Sequence, residues 1–452
     1  MKNVHLLGIG GIGMSALARY YKAQGLGVSG YDQMPFYLTM RLTEQGIAIH
    51  YQDRPDLLPQ DAGETLVVYS SAISEDMGEL MHARKNDYQV MKRSLALGII
   101  ADGMRCLAIA GTHGKTTTSA LVAHILTASG DNCTAFLGGI SKNYDSNLLL
   151  GSSGTVVVEA DEYDRSFLTL HPEMAVITSI DADHLDKYGD YAHVVDAFKS
   201  FARQVTGTLI VKKGVPISAG DTAARIFTYH PNDPDADFRS GNIRLGAKGC
   251  YIFDFEYPDG IIRDIQIGVP GEVNVENVVA AAAVALVRGI PADFVRKTTT
   301  SFKGVKRRLD IHVDSPAVAY VDDYAHHPAE LSAALSSLRE IFPGRKITAV
   351  FQPHLYSRTR DLAVEFGQAL SRADKLVLLD IYPAREKPIP SVSSELIMKN
   401  VSCRDKVIIR KEELLQFLSN EEFDVLVTFG AGDIGQYVER IAEIARNRVG
   451  GT

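Results

Sequence analysis

Three times along its 452 residues the chain runs an apolar strand into a glycine turn and out again as a helix. No other feature restricts the fold as strongly. Val4-His5-Leu6-Leu7 leads into Gly8-Ile9-Gly10-Gly11-Ile12-Gly13 and a helix-periodic run from Met14 to Gln24. Cys106 to Ala110 leads into Gly111-Thr112-His113-Gly114-Lys115-Thr116 and a helix to about Ala128. Val425 to Phe429 leads into Gly430-Ala431-Gly432-Asp433-Ile434-Gly435 and a C-terminal helix. A strand feeding a helix through a tight turn is the unit of a parallel sheet, so the fold class is α/β. Further apolar strands are expected at 65–69, 155–158, 174–180, 347–351 and 375–380, alternating with helices. Segment 207–268 reads as shorter β-rich pieces, an elaboration of a middle domain.

At roughly 150 residues per domain the length suggests about three. Boundaries are expected before the second unit and in the basic connector Phe302-Lys303-Gly304-Val305-Lys306-Arg307-Arg308, giving domains 1–101, 102–307 and 308–452. Lys plus Arg is 47 and Asp plus Glu is 55, a net charge of −8, which disfavours a nucleic-acid partner held by bulk charge. The longest apolar stretch, Val278 to Val287, covers about half a membrane span and predicts a buried helix, with no membrane insertion. The four cysteines (Cys106, Cys133, Cys250, Cys403) form no CxxC pair, which predicts neither a disulfide framework nor a metal cluster. Lys2, the following apolar run and Ala16-Leu17-Ala18 imitate a signal peptide, but the glycines at 8, 10, 11 and 13 would break its helix. A cytoplasmic location is expected.

Gly8-x-Gly10-x-x-Gly13 has Asp32 at the end of the following strand, Gly27 to Tyr31, the local context of a dinucleotide fingerprint. Its physics is less specific than its name. Glycines let backbone N–H groups approach a diphosphate at a helix N-terminus, and a UDP-sugar satisfies them as well as NAD does. The glycine loop at 430–435 has no acidic residue about twenty positions on, and no cofactor is assigned to it. The middle loop lacks the first glycine of a strict GxxxxGK[ST] motif, with Ile109 in its place. Gly111, Thr112, His113, Gly114, Lys115, Thr116 and Thr117 can still wrap ATP phosphates. Lys115 supplies the point charge, and the Thr116 hydroxyl can reach Mg²⁺.

Strand 155–158 ends in Glu159-Ala160-Asp161-Glu162-Tyr163-Asp164. Four carboxylates at the carboxyl end of a parallel strand imply a cation, although acidic residues also open helices. Strand 174–180 ends in Asp181-Ala182-Asp183-His184-Leu185-Asp186, where His184 is a metal ligand, a base or a neighbour of a helix cap. The third domain contributes Tyr320-Val321-Asp322-Asp323-Tyr324-Ala325-His326-His327-Pro328 and Phe351-Gln352-Pro353-His354-Leu355-Tyr356-Ser357-Arg358-Thr359-Arg360-Asp361. Paired arginines after a strand suit carboxylate or phosphate recognition, while a surface role is reasonable for one of them.

In chain order, Gly111 to Thr118, Glu159 to Glu162, Asp183-His184, Asn274-Val275-Glu276-Asn277, Arg307-Arg308 and Asp323 to Pro328 resemble the Mur ligase family over essentially the whole chain. Gly8 to Met14, Ser70-Ser71-Ala72-Ile73 and Gln352 to Asp361 narrow the resemblance to the branch that attaches the first amino acid of a peptidoglycan precursor. The resemblance implies an N-terminal Rossmann-like domain, a central P-loop ATPase-like parallel sheet and a C-terminal Rossmann-like domain. It also implies ATP-dependent ligation of L-alanine to the carboxylate of UDP-N-acetylmuramate, with ATP and Mg²⁺; a monomer or weak homodimer is expected. Gly8, Gly10, Gly11, Gly13, Ser70 and Ser71 would then hold the UDP-sugar, with Asp32 near the uridine. Lys115 and Thr116 would take the ATP phosphates and one Mg²⁺ shared with Glu159, and His184 a second Mg²⁺. Asn274 and Asn277 would read adenine. Arg308 and Asp323 would close on the nucleotide, and His354 and Arg358 would approach alanine. Lys115, Glu159, His184 and Arg358 are thus the implied catalytic set.

Two positions depart from the wider family pattern. Phe198 stands where several members carry a carbamylated lysine, a lysine the alanine-adding branch also lacks; Leu355 stands where an arginine is expected. The nearest rival activity is reattachment of a recovered tripeptide, whose enzyme shares the first two loops but not the last motif. A nicotinamide-dependent oxidoreductase and a non-catalytic nucleotide sensor are rivals of other classes. The oxidoreductase leaves the ATP loop and the acidic strand ends unexplained.

Overall fold

A computed structural model describes residues 1–182, 185–384 and 386–449, with only the backbone of residues 185 and 186. Asp183 and His184 therefore lie outside the described residues. The chain forms two compact units, one made mostly of residues 1–304 and the other mostly of 305–452.

The first unit carries two sheets. In the N-terminal one, β1 (Asn3–Leu7), β2 (Gly27–Tyr31), β3 (Ala48–His50), β4 (Thr65–Tyr69) and β5 (Gln89–Lys92) are all parallel, in the order β3-β2-β1-β4-β5. The second is built from β6 (Arg105–Ala110), β7 (Thr134–Ser141), β8 (Ser146–Leu149), β9 (Thr155–Ala160), β10 (Met174–Ile177), β11 (Thr208–Lys212) and β12 (Arg225–Tyr229). Its order is β12-β11-β10-β6-β9-β7-β8, parallel except for the β7–β8 pair. Strand runs such as Val156-Val157-Val158 are fully buried, as a parallel sheet covered by helices on both faces requires. Both sheets feed one apolar core, and Tyr20 on the first domain's helix packs 5.5 Å from the Phe136 ring of the second sheet. A three-stranded sheet follows, β13 (Arg239–Leu245), β14 (Cys250–Tyr257) and β15 (Gly260–Pro270). The expected β-rich stretch thus divides between β11 and the edge strand β12 of the central sheet and this small sheet.

The second unit is a sheet of β16 (Asp310–Asp314), β17 (Ala319–Asp323), β18 (Ile347–Phe351), β19 (Lys375–Leu378), β20 (Asp405–Ile408) and β21 (Val425–Phe429), in the order β16-β17-β21-β18-β19-β20. Only β16 runs antiparallel. Helices cover both faces and give it two apolar clusters.

Two strands are shorter than the sequence predicts. The strand expected over 174–180 stops at Ile177, because Thr178 and Ser179 turn to hold the loop after β6. The strand expected over 375–380 stops at Leu378. The apolar stretch 278–287 lies in helix Val273–Val287, its residues Val278 to Ala285 almost wholly buried. No helix among the described residues is long and apolar enough to cross a membrane, and all four cysteines are free.

Candidate active site

In the first unit the loop after β6 is braced from below. Thr178 Oγ1 donates to the carbonyls of His113 (2.5 Å) and Ala110 (3.2 Å), and His113 N donates to Ser179 Oγ at 3.0 Å. Thr112 N donates to the Ser179 carbonyl, and the Asp181 N–H reaches Thr112 Oγ1 at 2.9 Å. Gly111 sits at φ +134, and a Cβ there would lie 2.0 Å from Thr178 Oγ1, so no other residue fits. Ile109, by contrast, is still inside β6, paired with Glu159 in β9 and buried. The missing first glycine is a position where the chain has not yet turned. Helix Lys115–Ala128 starts at Gly114 with no side-chain cap, so its first-turn N–H groups face the loop as an anion site requires.

Lys115 Nζ donates to the carbonyls of Gly111 (2.6 Å) and Thr112 (3.3 Å) and pairs with Glu162 Oε2 at 2.7 Å. Burial works against the ammonium, but Glu162, Asp161 and Glu159 together hold its pKa above the usual lysine value. The Glu162 carboxyl is pushed up to about 7, chiefly by burial, with Lys115 opposing and Asp161 adding to the rise. The cluster therefore favours the charged form of Lys115, while burial disfavours the ionised form of Glu162. Thr116 Oγ1 donates to Glu159 Oε1 at 3.0 Å, and Gly138 N donates to Glu159 Oε2 at 3.0 Å. A hydroxyl and a carboxylate this close form the hard-oxygen pair that Mg²⁺ prefers. Of the four acids expected at this strand end, Asp164 stands apart: it turns to φ 47 and accepts the Ser166 hydroxyl.

Gly138 was not legible as a site residue, yet a Cβ there would lie 2.2 Å from Glu159 Oε2. Gly138→Ala should therefore displace the Glu159 carboxylate. The expected result is a fall in kcat of at least about tenfold and a raised Mg²⁺ requirement, with UDP-sugar binding unchanged, measured by steady-state kinetics over a Mg²⁺ series. Wild-type kinetics from this variant would exclude a role for Glu159 in holding Mg²⁺.

The N-terminal loop repeats the design. Helix Ile12–Ala23 begins at Gly11 without a side-chain cap, and Gly8 N and Ile9 N both donate to the Tyr31 carbonyl. Ser70 Oγ lies against Gly8, 2.8 Å from where a Cβ would be, while Ser71 is exposed. Asp32 accepts Gly10 N at 2.7 Å and Gln33 N at 2.8 Å, so its carboxylate holds the loop itself. Arg93 links the two loops: its guanidinium packs against Gly13 and reaches Asp161 Oδ2 at 3.4 Å. A basic residue at the junction of β5 and the next helix was the only signal for it. From the second sheet, Asn147 Nδ2 donates to the Ile12 carbonyl (2.5 Å) and Ser15 Oγ (3.0 Å), seating the β7–β8 hairpin on the start of helix Ile12–Ala23. Asn277 accepts the Thr118 hydroxyl at 3.2 Å, beside Gly114.

In the second unit, Asn274 Nδ2 donates to the Pro270 carbonyl at 2.7 Å. Asp323 accepts the Leu309 and Ala325 N–H groups, each at 2.7 Å, and burial pushes its carboxyl up to about 6 against the pull of Arg308. The Arg308 guanidinium lies over the Tyr324 ring and 4.0 Å from Glu330 Oε1. Arg307, read as part of a basic connector, is committed inside the fold, to Asp322 (2.8 Å) and the Gly430 carbonyl (2.7 Å). With Gln352, which donates to Asp433 Oδ1 and accepts Ile434 N, it fills the third glycine loop from within.

His354 stacks on Tyr382 with centroids 5.7 Å apart and meets the His326 ring edge-on at 5.9 Å. Burial drives the His326 pKa down to about 4, with Arg358 and Arg308 adding to the fall, so this imidazole is neutral at physiological pH. His326 enters the sequence reading only as part of the Asp323 to Pro328 motif, and Tyr382 not at all. Arg358 lies on the short helix Tyr356–Asp361, whose Ser357 N–H is held by Glu386 at 2.9 Å. The neighbouring Arg360 is exposed and spent on Asp361, so the surface role expected for one of the two arginines falls to it. Leu355 opens that helix at φ +72, its N–H on the Tyr382 carbonyl and its own carbonyl accepting the Thr359 N–H and hydroxyl. The backbone of Leu355, more than its side chain, shapes the turn.

Family models match the chain in three consecutive stretches: a Mur ligase family catalytic domain over 3–105, a Mur ligase middle domain over 109–285 and a Mur ligase glutamate ligase domain over 307–432. The UDP-N-acetylmuramate–L-alanine ligase of Flavobacterium psychrophilum is 47% identical over 443 residues, with 97% of each chain covered. That of Porphyromonas gingivalis is 46% identical over 446 residues, covering 97% of this chain and 98% of its own. Among solved structures, the UDP-N-acetylmuramate-alanine ligase of Thermotoga maritima superposes with a TM-score of 0.85 at 27% identity, 99% of each chain being covered. A murein peptide ligase of Psychrobacter arcticus shares the fold, with a TM-score of 0.74 at 21% identity over 100% of this chain and 99% of its own. With three family domains in order and relatives nearly half identical over almost their full length, the chain belongs to the Mur ligase family.

Proposed function

We infer that the protein joins L-alanine to the carboxylate of UDP-N-acetylmuramate at the expense of ATP, releasing ADP and phosphate. The observation that carries the reading is the full-length similarity to ligases of that activity, in a chain whose loop after β6 unites a buried, charged Lys115 with the Thr116–Glu159 pair.

A carboxylate is a poor electrophile, so it is first activated. The lactyl carboxylate oxygen attacks the γ-phosphorus, the bond to the β,γ-bridging oxygen breaks, and an acyl phosphate and ADP result. Lys115 and the first-turn N–H groups of helix Lys115–Ala128 offset charge on the transferring phosphoryl group. Thr116, Glu159 and His184 would hold Mg²⁺, which when bound supplies further neutralisation of the phosphate oxygens. The neutral amine of L-alanine then attacks the acyl carbon, phosphate leaves, and the amine gives up a proton. Gly8, Gly10, Gly11, Gly13, Ser70 and Ser71 serve the UDP-sugar, and Asp32 shapes their loop. Asn274 and Asn277 serve adenine, with Arg308 and Asp323 on the nucleotide. His354 and Arg358 serve the amino acid, and the neutral His326 supports their orientation. We assign these roles to domains 1–101, 102–307 and 308–452, in a cytoplasmic monomer or weak homodimer.

Phosphate release should require UDP-N-acetylmuramate and L-alanine together. Replacing L-alanine by the tripeptide of the recycling reaction should leave only background release. Faster release with the tripeptide than with L-alanine would transfer the protein to the recycling activity.

A further inference from the structure

Away from both phosphate loops, His5 of β1, His50 of β3 and Glu79 of helix Gly78–Lys85 converge on the other face of the N-terminal sheet. Their candidate ligand atoms all lie within 4.8 Å of one another. Glu79 Oε2 lies 3.0 Å from His5 Nε2, and Oε1 lies 2.8 Å from His50 Nε2. His5 and Glu79 are wholly buried, and the His50 side chain, 18% exposed, forms the rim. We propose that these three side chains are a binding site for one divalent transition-metal ion, with Zn²⁺ the best chemical match.

Charge balance comes first. Burying a carboxylate is costly unless a cation accompanies it, and among the described residues the ion-pair partners of Glu79 are these two imidazoles alone. A divalent ion supplies the missing charge. Ligand chemistry comes second. Two imidazole nitrogens and one carboxylate suit Zn²⁺ and its neighbours, and do not suit Mg²⁺ or Ca²⁺, which prefer all-oxygen sets. With metal–ligand bonds of about 2.1 Å, tetrahedral ligand atoms stand about 3.4 Å apart, so the ion would take the place of the two direct Glu79–histidine contacts. Support around the site comes third. His5 Nδ1 lies 2.8 Å from Ser29 Oγ, a partner that can accept its proton and leave Nε2 free to ligate. Asp53 accepts both Gly78 N (2.7 Å) and Glu79 N (2.8 Å), pinning the first turn of the helix that carries Glu79. Arg54 N donates to Glu79 Oε1 at 2.9 Å, and the His50 ring is packed between His5 and Tyr31. The ligands thus sit on two strands and a helix, each held by its own partners. On metal binding the protons on the two Nε2 atoms move to Nδ1 or leave to solvent, and no oxidation is involved. Because β1 runs directly into Gly8, the ion would stiffen the strand that presents the diphosphate loop.

The test uses the full-length chain, stripped with EDTA and titrated with Co²⁺ and then Zn²⁺ near pH 7.5. One Co²⁺ per chain should give a visible ligand-field spectrum that Zn²⁺ abolishes, and Zn²⁺ should raise Tm. His50→Gln and Glu79→Gln should each lose the spectrum while keeping the far-ultraviolet circular dichroism of the folded chain. Ser29→Ala should weaken Co²⁺ binding about 10- to 100-fold without abolishing it. His50→Gln, at the rim, keeps the test decisive if Glu79→Gln does not fold. The proposal is overturned if the spectrum survives in folded His50→Gln, which would place the ion elsewhere. It is equally overturned if the wild-type chain binds no Co²⁺ up to millimolar concentration, which would leave a proton-shared network.

Discussion

Lys115→Ala is expected to lower kcat by at least about 100- to 1000-fold, the loss that follows removal of one preorganised donor to a transition-state oxyanion. UDP-sugar binding should survive, because the N-terminal glycine loop is held by Asp32 and Ser70, whereas Lys115 is held by Gly111, Thr112 and Glu162. The buried pair complicates the variant. Removing Lys115 takes away the ammonium 2.7 Å from Glu162, and breaking one half of a buried pair costs about 3–5 kcal/mol. Lys115→Met combined with Glu162→Gln removes both charges and should restore much of the stability while remaining inactive. Thermal melts and calorimetry with UDP-N-acetylmuramate, run beside the assay, separate the two effects. Activity in the double variant comparable to wild type would show that Lys115 only balances Glu162.

Arg358→Ala carries the second large effect. A hydrogen bond to a charged group contributes about 1.5–3 kcal/mol, which corresponds to roughly 10- to 150-fold in kcat/KM for L-alanine. The apparent affinities for ATP and UDP-sugar should change little. Arg358→Lys should recover only part of the loss, because an ammonium keeps the charge but loses the planar fork. Arg360→Ala should be nearly silent, its guanidinium being exposed and held by Asp361. An equal fall in kcat/KM for all three substrates would move Arg358 from the amino acid to the phosphates.

Local signals carried most of the fold. Strand–glycine–helix units mark themselves locally, so the three large, mostly parallel sheets and the glycine turn that follows a strand in each were legible. What escaped depends on distant pairings or on turns. The end of β10 was misplaced because Thr178 and Ser179 look like strand residues until the loop they brace is present. Arg307 read as connector because its partners, Asp322 and Gly430, lie 15 and 123 residues away. Gly138 and Arg93 matter through their approach to Glu159, Asp161 and Gly13, and no spacing rule links those positions. His5 and Glu79, 74 residues apart, meet only because β1 is central in the sheet and the helix after β4 packs on it. The departure at Ile109 ran the other way: the motif looked incomplete only because β6 extends one residue beyond it before turning.

Activation of a carboxylate by transfer of the γ-phosphoryl group leaves a signature in the products. With UDP-N-acetylmuramate, L-alanine, ATP and Mg²⁺, the protein should form one ADP and one phosphate for each amide bond. With [¹⁸O]carboxylate-labelled UDP-N-acetylmuramate, one labelled oxygen should appear in the released phosphate. AMP and pyrophosphate as the stoichiometric products, or phosphate free of label, would contradict the account.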